Sequence, residues 1–183
     1  MTAVRAATPL TLAALLAVCL AARAADDAAV QREIEAQVWT PLLTASNTFD
    51  AEGFLAVQSP DLVRVSVDTN EVYGLERYAA EIRAGFPRAK ARGVTRRSEA
   101  RFLTRTHSGH LAHETGLFRS ESVTAAGERR VRYSRFEMIL RREAGRWKIL
   151  VDKDTAQGGT LTEEEFRRAA PMRSAGAPGT PKE

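Results

Sequence analysis

The chain has 183 residues, 44% of them hydrophobic, with 27 Lys+Arg against 23 Asp+Glu and a formal net charge of +4. That excess is too small to mark a nucleic-acid binder, and a single cysteine excludes a disulfide scaffold. The length suits one folded domain that must stand on its own hydrophobic core.

The N-terminal stretch "MTAVRAATPLTLAALLAVCLAARA" has the three parts of an export signal: basic Arg5, an apolar run from Leu10 to Leu20, and Ala22-Arg23-Ala24 as a cleavage site. The run is shorter than the ~20 residues a membrane span needs. Cleavage after Ala24 removes Cys19 and two of the 27 basic residues, leaving 25 against 23 acidic ones. The alternative is a retained or lipidated anchor through Cys19, although Val18 is bulky for the position before a lipidated cysteine. The expected organisation is a signal peptide over residues 1–24, one domain over 25–157, and a short helix with a disordered tail over 158–183. The expected destination is the periplasm or the medium, with no membrane span after cleavage.

From Asp27 to Ser46, Val30, Ile34, Val38, Leu42 and Ala45 recur at helical spacing, with Pro41 placed to bend the helix. "FDAEGFLAVQS" reads as a second helix capped by Asp50. "DLVRVSVD" alternates as a strand, with Val63, Val65 and Val67 on one face and Arg64, Ser66 and Asp68 on the other. A third helix carries Leu75, Tyr78, Ala79, Ile82 and Phe86 and should stop near Pro87. Four β segments follow, at about 94–107, 110–122, 129–142 and 146–155, with Gly109, Gly127 and Gly145 in the connections. Helices followed by an antiparallel meander make an α+β pattern. At the end, "LTEEEFRRAA" sets Thr162 and Glu165 at capping-box spacing, and "SAGAPGTPKE" is Pro/Gly-rich and lacks apolar anchors.

All three histidines, His107, His110 and His113, fall in "RTHSGHLAHE". With Ser108-Gly109 as the turn, His107 opposes His110, and His113 points to the opposite strand face from His110, so the three cannot close on one ion. The same register puts Arg101, Leu103 and Arg105 on one face with Ala112, Glu114 and Gly116, an Arg/Glu cluster read as an ordinary cross-strand salt bridge. No metal and no cofactor are expected. The basic run that includes Arg83, Arg88, Arg96, Arg97 and Arg101 reads as a solvated face, and no nucleic-acid partner is expected.

The last hairpin, "VRYSRFEMILRREAGRWKILVDKDT", is similar to the closing strands of the nuclear-transport-factor-2-like superfamily, which includes SnoaL-like, ketosteroid-isomerase-like and kinase-association domains. Trp39, "NTFDAEGFLAV", "SPDLVRV" and "VYGLERYAAEI" agree in order and spacing, so the resemblance covers roughly Glu33 to Thr155. It implies a cone: a curved antiparallel sheet wrapped around N-terminal helices in the cystatin-like manner, with an apolar cavity, commonly dimeric through the sheet. It implies no single activity. By the ketosteroid-isomerase pattern, the base position falls at about Ser66, the tyrosine position at about Leu42 and the second acid near Glu137, so only the last holds a usable group. Asp68 shares a strand face with Ser66 and is a substitute base.

A loop of two or four residues in the last hairpin places Tyr133, Arg135 and Glu137 on one face with Asp152 and Asp154. Phe136, Met138 and Leu140 then share the other face with Trp147, Ile149 and Val151. A bulge would change that pairing. The polar face either meets water or lines the cavity, where Tyr133, Arg135, Glu137, Asp152 and Asp154 would hold a ligand and Asp152, Asp154 or Glu137 would move a proton. The expected function is binding of a small apolar or amphipathic molecule by a homodimer. The alternatives are a cofactor-independent isomerase or lyase, and a protein-interaction module.

Overall fold

The structure, a computed structural model, describes residues 26–172; the expected signal peptide and the end of the tail lie outside the described residues. Helix α1 runs through residues 26–48, and its middle turn, Glu35–Trp39, is a π-helix followed by the α-helical Thr40–Thr48. Pro41 explains the wide turn. A proline lacks the N–H that would bond back to residue 37, and its ring crowds that carbonyl, so the helix widens just before it. The π turn seats Glu35, Val38 and Trp39 in the interior.

Helix α2 (Ala51–Leu55) is capped by Asp50, whose side chain accepts the Gly53 N–H at 3.0 Å. Strand β1 (Gln58–Ser66) and β2 (Glu71–Gly74) form a hairpin, and α3 (Leu75–Ala91) follows. Helix α3 does not stop at Pro87 but carries it inside and runs one further turn. Pro87 lies exposed near the C-terminal end, where few intrahelical bonds remain to be lost. Strands β3 (Thr95–Ser108), β4 (Leu111–Val123), β5 (Arg129–Glu143) and β6 (Arg146–Thr155) form the meander.

The seven-stranded sheet has the order β2-β1-β6-β5-β4-β3-β7. It is not wholly antiparallel, because β1 lies parallel to β6. One face curves round the helices, burying Trp147, Ile149, Leu140, Phe136 and Phe102 against Ile34, Val38 and Trp39. The Trp39 ring centroid stands 5.0 Å from both Phe102 and Phe136, in the edge-on and tilted arrangements that aromatic pairs prefer. Gly116 makes the curvature possible here. A Cβ on it would lie 2.0 Å from the Arg101 carbonyl oxygen and 2.5 Å from the Phe136 ring.

Two bulges bend the sheet and invert strand parity: one between Phe102 and Thr104, the other between Ile149 and Val151 opposite Ile139 and Leu140. Because of the first, Phe102 and Arg105 both face inward, and the Arg/Glu cluster is no surface bridge. Arg105 bonds Glu114 and Glu35, Glu114 is only 1% exposed, and the Trp39 indole N–H donates to it.

Helix α4 (Glu163–Arg168) begins with the expected capping box of Thr162 and Glu165. It is followed by β7 (Ala170–Pro171), which pairs with β3, and buries Phe166 against Leu117 on the outer sheet face. The boundary expected at residue 157 thus divides elements that pack together.

Candidate functional site

A cavity of about 200 Å³ lies between the concave face and the helices. Leu42 and Leu43 of α1, Phe54 of α2, and Phe118 and Met138 of the sheet form its apolar wall, with Tyr78, Asp152 and Asp154 on a polar side. The β6 bulge places the acids there. The hairpin loop is the two-residue Ala144-Gly145, with Glu143 opposite Arg146, but beyond the extra residue Leu150 the register shifts. Asp152 then opposes Met138 and Asp154 opposes Phe136.

The parallel neighbour β1 supplies the counter-charge, since Arg64 is in register with Asp152 and Ser66 with Asp154. Arg64 Nη1 donates to Asp152 Oδ1 at 3.3 Å and to its carbonyl at 3.0 Å, while Nη2 donates to Asp154 Oδ1 at 2.5 Å. From α3, the Tyr78 hydroxyl donates to Asp152 Oδ2 at 3.1 Å. Asp152 is 6% exposed, Arg64 and Tyr78 are 8% exposed, and the Asp154 side chain is partly open to the cavity at 36%.

Burial dominates the electrostatics of this group. It raises the pKa of Asp152, which the neighbouring Arg64 charge only partly opposes and the Asp154 charge reinforces. Burial also pushes the Tyr78 phenol well above its ordinary value, assisted by the Asp152 charge. Burial acts to lower the pKa of Arg64, but Asp152, Tyr78 and Asp154 outweigh it and hold the guanidinium charged. Of the coupled pair, Arg64 keeps its charge against two carboxylates and Asp152 is the group driven toward its protonated form. A buried acid poised in this way can donate a hydrogen bond or carry a proton.

The expected site is therefore divided. Asp152 and Asp154 line the cavity; Tyr133, Arg135 and Glu137 do not, because the bulge puts them on the opposite face. There Tyr133 donates to Glu163 and packs on Phe166. Glu137 accepts from Lys153 at 2.8 Å and lies 3.3 Å from His113, and Arg135 opposes Leu117 under the C-terminal elements. Leu42 lines the cavity but carries no polar group, and Asp68 accepts from Thr155 and the Ala156 N–H at an exposed turn.

Two residues of the group escaped the sequence reading. Alternation sets Arg64 on the polar face of its strand but does not say which face is inward; Leu62 and Arg64 are buried, and Val63 and Val67 are exposed. Tyr78 was read as apolar stripe, although a buried phenol needs a hydrogen-bond partner, and that was the available signal.

The histidine turn is Gly109-His110 and not Ser108-Gly109, which moves each cross-strand partner by two residues: Ser108 pairs with Leu111, His107 opposes Ala112 and His113 opposes Thr106. His107 Nε2 lies 3.1 Å from Asp27 Oδ1. Among the described residues, no three His, Cys, Asp or Glu side chains gather as a metal site.

The architecture matches a set of solved structures. A nuclear-transport-factor-2-like protein with a cystatin-like fold from Novosphingobium aromaticivorans superposes with a TM-score of 0.57 at 16% identity, covering 86% of this chain and 94% of that one. The fold is the nuclear-transport-factor-2-like cone. A conserved protein from Planctomyces limnophilus gives a TM-score of 0.57 at 20% identity, over 68% of this chain and 94% of its own. A ketosteroid isomerase-like protein from Erwinia carotovora atroseptica gives 0.53 at 18%, over 67% and 92%. No protein-family model and no curated protein matches the sequence. At these identities the likeness is one of cone architecture alone, and no helix among the described residues is long and apolar enough to cross a membrane.

Proposed function

We propose that this cone domain is exported and binds a small amphipathic molecule in its cavity, as a homodimer joined through the outer sheet face. The observation that carries the binding reading is the Arg64–Asp152–Asp154–Tyr78 group at the edge of an apolar cavity. Buried ion pairs gain little stability over apolar packing, so such a group is better explained by a ligand than by folding. About 200 Å³ exceeds the roughly 150 Å³ that admits benzene, which sets the ligand at one ring or a short chain. Export rests on the composition of residues 1–24. The dimer rests on Val63, Val67, Val72, Leu111 and Ile139, all exposed on the sheet's outer side.

The second reading is a cofactor-independent isomerase or lyase, and one observation favours it: Asp152, with its raised pKa and its bond from Tyr78, is placed to pass a proton to a substrate in the cavity. Tyr133 and Glu137 have no part in either reading.

The test is a thermal-shift screen of one-ring and short-chain compounds on the purified protein, repeated on Leu43→Trp, which fills the cavity. Ligand at ~100 times its Kd adds about 2.7 kcal/mol and raises Tm by several degrees. Hits that stabilise the wild type but not Leu43→Trp are expected, and equal shifts in both would refute cavity binding. Proton exchange or turnover of a hit, lost in Asp152→Asn, would favour the enzyme.

A further inference from the structure

The acidic group occupies one end of the concave face, and the other end has a different chemistry. Along β3 the inward positions run from Ala100 through Ser98 to Arg96. Ser98 pairs with Ser120, which pairs with Arg132, while Arg96 pairs with Ser122, which pairs with Arg130. Directly paired residues share a face, so at this end of the cone β3, β4 and β5 present serine hydroxyls and arginine guanidiniums. Ser98 and Ser120 line the cavity with their hydroxyl oxygens 3.3 Å apart, and Ser46 and Ser134 join them.

Arg96 decides what this end can take. Its guanidinium lies over the Phe49 ring at 4.5 Å and 5.5 Å from Phe86, which itself packs on the cavity residue Phe54. The side chain is half-buried, and desolvation is the sole influence on its pKa, lowering it, because no carboxylate stands near. Among the described residues neither Arg96, Arg130 nor Arg132 has an anionic partner. The aromatic rings satisfy the guanidinium's face, but its N–H edges, five donors in a fork, lack an acceptor. Ser98 stands two residues away, about 7 Å from twice the strand rise, which is within an arginine's reach. Asp154, on β6, is three strands away from Arg96 along the sheet, and its carboxylate is already paired with Arg64.

Building on the cavity reading above, we infer that the ligand is a small organic monocarboxylate. Its ring or short chain lies between Leu42 and Phe118, and its carboxylate sits at the rim on Arg96, accepting hydrogen bonds from Ser98 and Ser120. One guanidinium matches one carboxylate in charge and in geometry.

Calorimetric titration of the purified protein with phenylacetate, phenethyl alcohol and acetate separates the two claims. Phenylacetate should bind at least about tenfold tighter than the alcohol, the worth of a hydrogen bond to a charged group, and acetate should bind more weakly than either. Arg96→Leu keeps the apolar contact with Phe49 and should abolish the preference for the acid over the alcohol. Arg96→Lys, which retains the charge, should keep part of the preference. Thermal melting verifies that both variants fold, and rising salt should shrink the wild-type preference. Equal affinity for acid and alcohol, or a preference that survives in Arg96→Leu, overturns the anion inference and leaves the cavity reading standing. Failure of both aromatic compounds to bind overturns the cavity reading with it.

Discussion

Replacing Asp152 with alanine removes a carboxylate that Arg64 and Tyr78 both use from buried positions. Breaking a buried pair by deleting one partner costs about 3–5 kcal/mol. Here Arg64 retains the Asp154 carboxylate at 2.5 Å and the residue-152 carbonyl at 3.0 Å, so the lower end applies, about 3 kcal/mol. Asp152→Asn keeps an acceptor for the Tyr78 hydroxyl and should cost about 1 kcal/mol. The double change Arg64→Met with Asp152→Leu removes the whole buried pair and should come within about 1 kcal/mol of the wild type or exceed it. Urea denaturation with unchanged m-values reads all three. A sign test accompanies them. Burial holds the Asp152 pKa above its ordinary value of 3.8, so the folded chain binds that proton more tightly than the unfolded chain. Wild-type stability from this group is therefore present at low pH and lost as pH rises through the folded pKa. Relative to Asp152→Asn, the wild type should gain stability as pH falls from neutral toward 3.8. A cost under ~1 kcal/mol for Asp152→Ala, the value of an exposed pair, would refute the buried group. A stability difference that does not change with pH would refute the dominance of burial.

Gly116→Ala forces a methyl group into the Arg101 carbonyl and the Phe136 ring and should cost roughly 3 kcal/mol, read by thermal denaturation; a neutral result would contradict the close approach of the β3 backbone and the Phe136 ring at that point. Arg129, then Arg119, hold Glu121 down to a pKa of about 2, so its contribution is present above the ordinary 4.5 and is lost as pH falls through about 2. Acid unfolding of Glu121→Gln should accordingly show a shallower pH dependence over that interval, and an unchanged profile would dismiss the triad. Val72→Lys with Ile139→Lys places charge on the outer sheet face and should convert the proposed dimer to a monomer in sedimentation; a wild type already monomeric at micromolar concentration would refute the dimer.

The limits of the four meander strands were legible in the sequence to within a residue: segments at 94–107, 110–122, 129–142 and 146–155 became Thr95–Ser108, Leu111–Val123, Arg129–Glu143 and Arg146–Thr155, whereas the first strand, expected over 61–68, is Gln58–Ser66, and Glu71–Gly74 and Ala170–Pro171 were not foreseen. Alternation and the glycines at the turns carry that signal locally. Facing was less legible, because it depends on register and on bulges that no short-range pattern announces. The alternation of Val63, Val65 and Val67 was real, yet apolar alternation says only that two faces differ. Here the valine face looks outward, while Leu62 and Arg64 face the cone. Of the five residues expected to share one polar face, only Asp152 and Asp154 reach the cavity.

Leu150 is the residue on which that division turns. In a regular strand the inward series Trp147, Ile149 would continue to Val151 and Lys153, leaving both aspartates outside with Glu137. Leu150 is an extra residue with no partner in β5, so the series resumes at Asp152. Lys153 is thereby turned outward to meet Glu137 at 2.8 Å, and Asp152 is turned inward beneath Tyr78. The parallel register of β1 then brings Arg64 alongside Asp152, where an antiparallel neighbour would have reversed the order of its side chains. A bulge costs a ladder hydrogen bond, and a buried ion pair gains little over apolar packing. Both are present at the same point of β6, and together they give an apolar cavity its one acid–base group. Stability alone would favour a straight strand with Val151 inward, so the bulge and the buried pair together support the proposed binding role of the cavity.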